Sequence, residues 1–306
     1  MSSNILRTLS AINRGINPVK SLRLDFTPDF IKELVTQADN KAEEVRNFTD
    51  GNIHVSTLIN GFCPRKHAII QKFNFPVEKK FVQSNDRIVW KIGRAVENHV
   101  RDSFIEVFKH ENFYGVWKCK CEYTSFEGRY SFLQPACPRC GTFPNRYHEV
   151  TLKDEVLGIT GNPDTLFMMP ESSKLYVLEV KSIKNRPAAS NPNDVCFENL
   201  KAPIANHVLQ AACYRRLLKE LGKPVADTAC IFYVSKDYRR DSPYKDYHVN
   251  IGDDSSWWRT VNLFWESVKL YRDSLAADIV PERTVCKSMH DKMAKKCNVI
   301  SSCFGS

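Results

Sequence analysis

The stretch "GITGNPDTLFMMPESSKLYVLEVKS" (158–182) decides how this chain is read. Two apolar runs flank the turn-forming "PESSK", which predicts strands over 164–169 and 174–182. Glu179 and Lys181 sit inside the second run, and Asp164 follows Gly-Asn-Pro ahead of the first. Charged groups at strand centres are costly unless they are paired or bind a metal. Alternation along "LYVLEVKS" puts Tyr176, Leu178 and Val180 on one face and Val177, Glu179 and Lys181 on the other. A preceding antiparallel strand brings Asp164 opposite them. Two carboxylates and a lysine suit a hard cation such as Mg²⁺ or Mn²⁺. Such an ion polarises a phosphodiester and activates a bound water, while the lysine offsets charge building on the phosphorane. A Glu–Lys pair on a solvated edge strand is the plain alternative.

Around this hairpin the pattern is mixed. "SNDRIVWKIGRAVENHVRDSFIEVF" (84–108) repeats Val89, Ile92, Val96, Val100 and Phe104 at helical spacing. A helix is also expected over 28–48, and another in "IANHVLQAACYRRLLKELG", stopped by Gly222 and Pro224. Strands are expected at 150–159, 227–235 and 246–251, with a Trp-rich helix over 255–277. The order implies an α/β fold, a mixed central sheet flanked by helices.

The 306 residues carry 44 basic and 35 acidic groups, a net charge of +9, which fits a polyanionic partner, nucleic acid first. No apolar run approaches the roughly 18 residues of a membrane span, so a soluble protein is expected. The N-terminus is Ser-rich and free of acids until Asp25, as an ordinary basic arm or a mitochondrial presequence would be; it lacks the apolar core of a secretory signal. A cytoplasmic location, bacterial or in a virus-infected cell, is expected ahead of a mitochondrial one. Eleven cysteines without such a signal argue against a disulfide framework. Cys196, Cys213 and Cys230 are isolated and read as small buried apolar groups.

The segment 115–148 reads as an inserted knuckle. Cys119-x-Cys121, fifteen residues, then Cys137-x2-Cys140 suits a tetrahedral zinc site. Lys118, Lys120, Arg129, Arg139 and Arg146 mix there with Trp117 and Tyr147. That mixture suits either a grip on a nucleic-acid strand or a plain solvated surface.

"GNPD", the fifteen-residue step from Asp164 to Glu179, "EVK" and "QAACY" together resemble the PD-(D/E)xK nuclease superfamily in its RecB-like branch. The likeness extends over roughly 55–303, the zinc insertion apart. It implies a restriction-endonuclease-like core over 55–114 and 149–282, preceded by a helical, basic region over 1–54. It also implies metal-dependent DNA cleavage, an exonuclease on single strands or duplex ends, as in CRISPR-type adaptation and phage recombination. Other readings are a catalytically weak DNA-binding scaffold or a structure-specific endonuclease, and RNA cleavage also stays open. By resemblance, Asp164, Glu179, the carbonyl of Val180 and an upstream helical ligand hold the ion, and Lys181 serves the attacking water. Gln210 and Tyr214, i and i+4 on one helical face, support the scissile strand, and Lys184 and Arg186 its backbone. The upstream ligand falls in "GRAVENH", where Glu97 keeps the family's spacing from Gly93. His99 lies about 200° around the helix from Glu97, so the two cannot share one ion.

The branch often carries a 4Fe–4S cluster held by one cysteine before the core and three after it. Here that implies Cys63 in "FCPRKH", with Cys286, Cys297 and Cys303 in a closing segment, 283–306. The ten residues between Cys286 and Cys297 exceed the family's usual spacing, and zinc on the same four cysteines stays open. With no P-loop, any helicase or recombination partner is a separate chain.

Overall fold

The computed structural model describes residues 51–74, 84–168, 171–187, 194–236 and 244–305. The expected helix over 28–48 and the basic or presequence-like N-terminus lie outside them. β1 (Ile53–His54) leads into α1 (Val55–Ile59), α2 (Pro64–Lys72) and the long α3 (Ser84–Phe108). The cysteine-rich segment carries β2 (Phe113–Lys118), β3 (Ser125–Arg129) and β4 (Arg146–His148). β5 (Leu152–Asp154), β6 (Ile159–Gly161), β7 (Thr165–Met168) and β8 (Leu175–Ile183) follow. Next come α4 (Ala205–Glu220), β9 (Thr228–Ser235), β10 (Tyr244–Asn250), α5 (Ser256–Ala276) and the short α6 (Ile300–Phe304).

The main sheet runs β10-β9-β8-β7-β2-β3, with β4 also paired to β2. β8 and β9 are parallel and the other pairs antiparallel, so the sheet is mixed. α4 makes the β8-to-β9 crossover that a parallel pair requires. The strands within 115–148 extend this sheet, because β2 pairs with β7.

Alternation along β8 sorts its side chains between two cores. Leu175 and Val177 pack with Val208, Ala211 and Leu217 of α4 and Val261 and Trp265 of α5. Tyr176, Leu178 and Val180 pack with Val96, Phe104 and Ile105 of α3. Fully burying each such aliphatic side chain contributes about 1.5–3 kcal/mol, so helices clamp the strand from both faces.

The single strand expected over 150–159 is instead a tight hairpin of β5 and β6, in a separate three-stranded sheet ordered β1-β6-β5. Asp154 ends β5: its Oδ1 accepts the N–H groups of Val156 (3.0 Å) and Leu157 (2.9 Å). Gly158 then adopts φ +66°, a conformation in which glycine carries no steric cost. This Asx turn, invisible to hydrophobic alternation, reverses the chain.

Candidate active site and cysteine clusters

β7 and β8 pair with Thr165 opposite Leu178, which brings Asp164 alongside Glu179. Asp164 Oδ2 accepts the backbone N–H of Val180 at 2.9 Å and lies 3.6 Å from Lys181 Nζ. Glu179 is 0% exposed, and Lys181 Nζ stands 2.5 Å from its Oε1. Lys181 is the one polar partner of the Glu179 carboxylate among the described residues: its ammonium meets Oε1, and Oε2 accepts nothing. Burial, then the neighbouring Asp164, raise the Glu179 pKa against the pull of Lys181. Burial works to lower the Lys181 pKa, but the Glu179 and Asp164 carboxylates outweigh it and raise it. Lys181 is therefore an ammonium at any physiological pH.

Glu97 arrives from α3. A Cβ on Gly93 would stand 3.0 Å from Ser182 Oγ, so the glycine lets the helix lie close to the end of β8. One turn later, Glu97 Oε1 accepts the N–H (3.2 Å) and hydroxyl (3.3 Å) of Ser182. Burial and then Asp164 raise its pKa, while Lys181 and Ser182 oppose the rise. His99 is exposed, on another side of the helix.

α4 supplies the remaining pair. Gln210 Nε2 donates to the Tyr214 hydroxyl at 2.7 Å. The buried Tyr214 ring fits against Gly161, where a Cβ would fall 2.6 Å from ring carbon Cε1. One turn earlier, His207 Nδ1 meets Tyr233 OH at 2.8 Å. That phenol also accepts the N–H of Ile204 (2.9 Å). Burial, with Lys181 adding to it, pushes the His207 pKa down to about 4. Lys184 and Arg186, expected on a nucleic-acid backbone, pair here with Asp194 and Glu198.

Three groups here carried no sequence signal. Ser182 anchors Glu97. Glu149, exposed, feels the charges of Asp164, Arg94 and Lys181, and Arg101 Nη1 holds it at 3.2 Å. Arg101 also lies over the Tyr147 ring.

Among the described residues, one set of cysteine, histidine or acidic ligand atoms lies mutually within 4.8 Å: Cys119, Cys121, Cys137 and Cys140. The 3.6 Å from Cys119 to Cys121 and 3.8 Å from Cys121 to Cys137 match the edges of a tetrahedron with Zn–S bonds of about 2.3 Å. The Thr142 hydroxyl accepts the Lys120 N–H and contacts Cys140 Sγ at 3.1 Å. That hydroxyl, followed by backbone hydrogen bonds, lowers the Cys140 thiol pKa, which favours the thiolate a metal needs. These four cysteines form a site able to hold a metal ion or cluster.

Cys63, Cys286, Cys297 and Cys303 line a second pocket with Arg65, Lys66 and Arg283. Burial raises the Cys63 pKa, and the other three cysteines add to the rise. Arg65 Nε donates to Cys303 Sγ (3.2 Å), and its Nη1 donates to Pro281 O (2.8 Å), tying α2 to the C-terminal segment. No three of these sulfurs, and no three carboxylates among Glu97, Glu149, Asp164 and Glu179, lie mutually within 4.8 Å.

No protein-family model matches this chain, and comparison with curated proteins finds no match. No helix of the described residues is long and apolar enough to cross a membrane.

Proposed function

We propose that the chain is a divalent-metal-dependent DNA nuclease, an exonuclease on single strands or duplex ends. One observation carries the reading: Glu179 is wholly buried, Lys181 is the single donor to its two oxygens, and Asp164 lies alongside it. One donor leaves a buried carboxylate short of partners, with a second carboxylate beside it, and a divalent ion would satisfy both. Glu97, Asp164, Glu179 and the carbonyl of Val180 would hold Mg²⁺ or Mn²⁺. The bound ion would polarise the phosphodiester and lower the pKa of a water. Lys181, held as an ammonium, donates N–H bonds to that water or to charge building on the phosphate; it takes no proton. Gln210 and Tyr214 keep a neutral phenol beside the carboxylates.

Cys63, Cys286, Cys297 and Cys303 line one pocket, as the ligands of an iron–sulfur cluster or of a zinc ion would. Zinc suits the knuckle, whose sulfurs stand at tetrahedral-edge distances, and the iron–sulfur assignment of the pocket follows the resemblance to the RecB-like branch. A scaffold reading draws on a different observation: the carboxylates are not gathered on one point, and the Lys181 ammonium already contacts two of them.

End-labelled single- and double-stranded DNA, incubated with Mg²⁺, Mn²⁺ or no divalent ion, separates the two. The nuclease reading expects ion-dependent loss of label. Binding without cutting under every ion would favour the scaffold.

A further inference from the structure

The cysteine knuckle carries a surface that its own fold does not use. Tyr123, two residues after Cys121, is 64% exposed, and Phe143, three after Cys140, is 53% exposed. Lys120 lies between the first cysteine pair and Arg139 between the second; both are exposed, as is Arg146, whose guanidinium reaches Lys120 O at 3.4 Å. None of these three cations makes an ion pair within 4.0 Å among the described residues. Over 115–148 the basic residues are Lys118, Lys120, Arg129, Arg139 and Arg146, and the acidic ones Glu122 and Glu127, so 5 − 2 = +3. Glu122 is tied to Lys118 at 3.2 Å, and Glu127 accepts the Tyr114 hydroxyl at 3.0 Å. Glu122 also feels the charge of Arg146 without forming an ion pair with it, and neither acid pairs with Lys120 or Arg139.

The four-cysteine frame thus carries two exposed rings, Tyr123 and Phe143, in the same short segment as three cations that make no ion pair among the described residues. The buried Trp117 and Tyr130, by contrast, pack edge-to-face at 4.8 Å and serve the fold. We infer that the knuckle face of Tyr123, Phe143, Lys120, Arg139 and Arg146 binds single-stranded DNA, by stacking unpaired bases on the rings and neutralising phosphates with the cations. A duplex hides its base faces and leaves the rings unused, so the single strand is the form this chemistry selects. The inference rests on the nuclease reading for its biological sense: the face would hold the strand that the acidic site cuts.

The test uses full-length protein carrying Lys181→Ala, so that nothing is cut, and no chelator, so that the knuckle keeps its metal. Fluorescence anisotropy follows a labelled twenty-nucleotide oligo(dT) and a duplex of equal length. Tyr123→Ala with Phe143→Ala should weaken oligo(dT) binding at least tenfold, at roughly fivefold or more per stacked base, and change duplex binding much less. Tyr123→Trp should retain the affinity. Neutralising Lys120, Arg139 and Arg146 to Gln should flatten the salt dependence by about 2, from a slope near 0.7 per phosphate contact on single strands. Metal content equal to the parent's certifies that each variant keeps the knuckle. Affinity within twofold of the parent and an unchanged salt slope would overturn the inference and assign the face to another partner, a protein included. A parent that binds no oligo(dT) would overturn it too. A wild type that binds through this face yet never cuts would sink the nuclease reading and leave this one standing.

Discussion

Asp164 Oδ2 accepts the N–H of Val180 at 2.9 Å, so one carboxylate both pins the β7–β8 hairpin and faces Lys181. Asp164→Asn keeps an acceptor for that N–H and removes the charge. Cleavage should fall by about a hundredfold or more, on the scale of losing a group that orients or binds a metal, while thermal stability stays near wild type. Equal losses in stability and activity would make Asp164 a structural residue.

Gly93 and Glu97 act as a pair, because the missing side chain at 93 sets how close α3 approaches Ser182. Gly93→Val should displace Glu97 and lower cleavage roughly tenfold or more. Ser182→Ala, which removes one of the two donors to Glu97, should cost less. A fully active Gly93→Val variant would detach Glu97 from the site.

Burial and Asp164 raise the Glu97 and Glu179 pKa values above the usual 4.5. The folded protein therefore holds protons that the unfolded chain releases. The resulting stability is full below about 4.5 and is lost as pH rises through the folded values. A divalent ion competes with those protons, so its stabilising effect should grow with pH. The Mg²⁺-induced rise in Tm should be about 2–4 °C larger at pH 8 than at pH 6, the scale of roughly 1 kcal/mol in a domain of this size. Glu179→Gln should abolish the difference. A Tm shift that is the same at both pH values would contradict these carboxylates as the ion's ligands.

Cys137→Ser should cost one equivalent of bound metal, measured on purified protein, and lower Tm, since closed four-cysteine sites contribute folding energy. Cys286→Ser should leave that equivalent in place and remove the iron-dependent absorbance expected of the second pocket. Loss of both signals in either variant would mean that the two clusters are not independent.

Arg215 is 3% exposed, bonded to Asp253 (2.7 Å), Asp227 (2.5 Å) and the carbonyl of Ala226 (3.2 Å), with its guanidinium over the Trp258 ring. Both aspartates are largely exposed and remain solvated when it is removed. Arg215→Met should therefore destabilise by about 2 kcal/mol, below the 3–5 kcal/mol of a fully buried pair. Chemical denaturation measures it.

What the sequence made legible followed from strong local periodicity. Val96 and Phe104 marked the buried stripe of α3, and alternation about Glu179 fixed which side chains of β8 share a face. The spacing of Cys119, Cys121, Cys137 and Cys140 announced their cluster, because a four-thiolate site needs that chain geometry. The β5–β6 hairpin was hidden, since one Asx turn at Asp154 outweighs apolar alternation. Ser182 and Glu149 were hidden because their roles depend on contacts from α3, far away in sequence. The partners of Lys184 and Arg186, Asp194 and Glu198, were hidden because lysine and arginine in a loop look alike whatever anion they meet.

The most direct test of the catalytic account compares wild type with Lys181→Ala on end-labelled single- and double-stranded DNA in Mg²⁺ or Mn²⁺, with protein purified without air. The account predicts ion-dependent degradation by the wild type and a loss of at least a hundredfold in the variant, at unchanged DNA affinity. Equal binding by both proteins, with neither cutting any substrate, would contradict it.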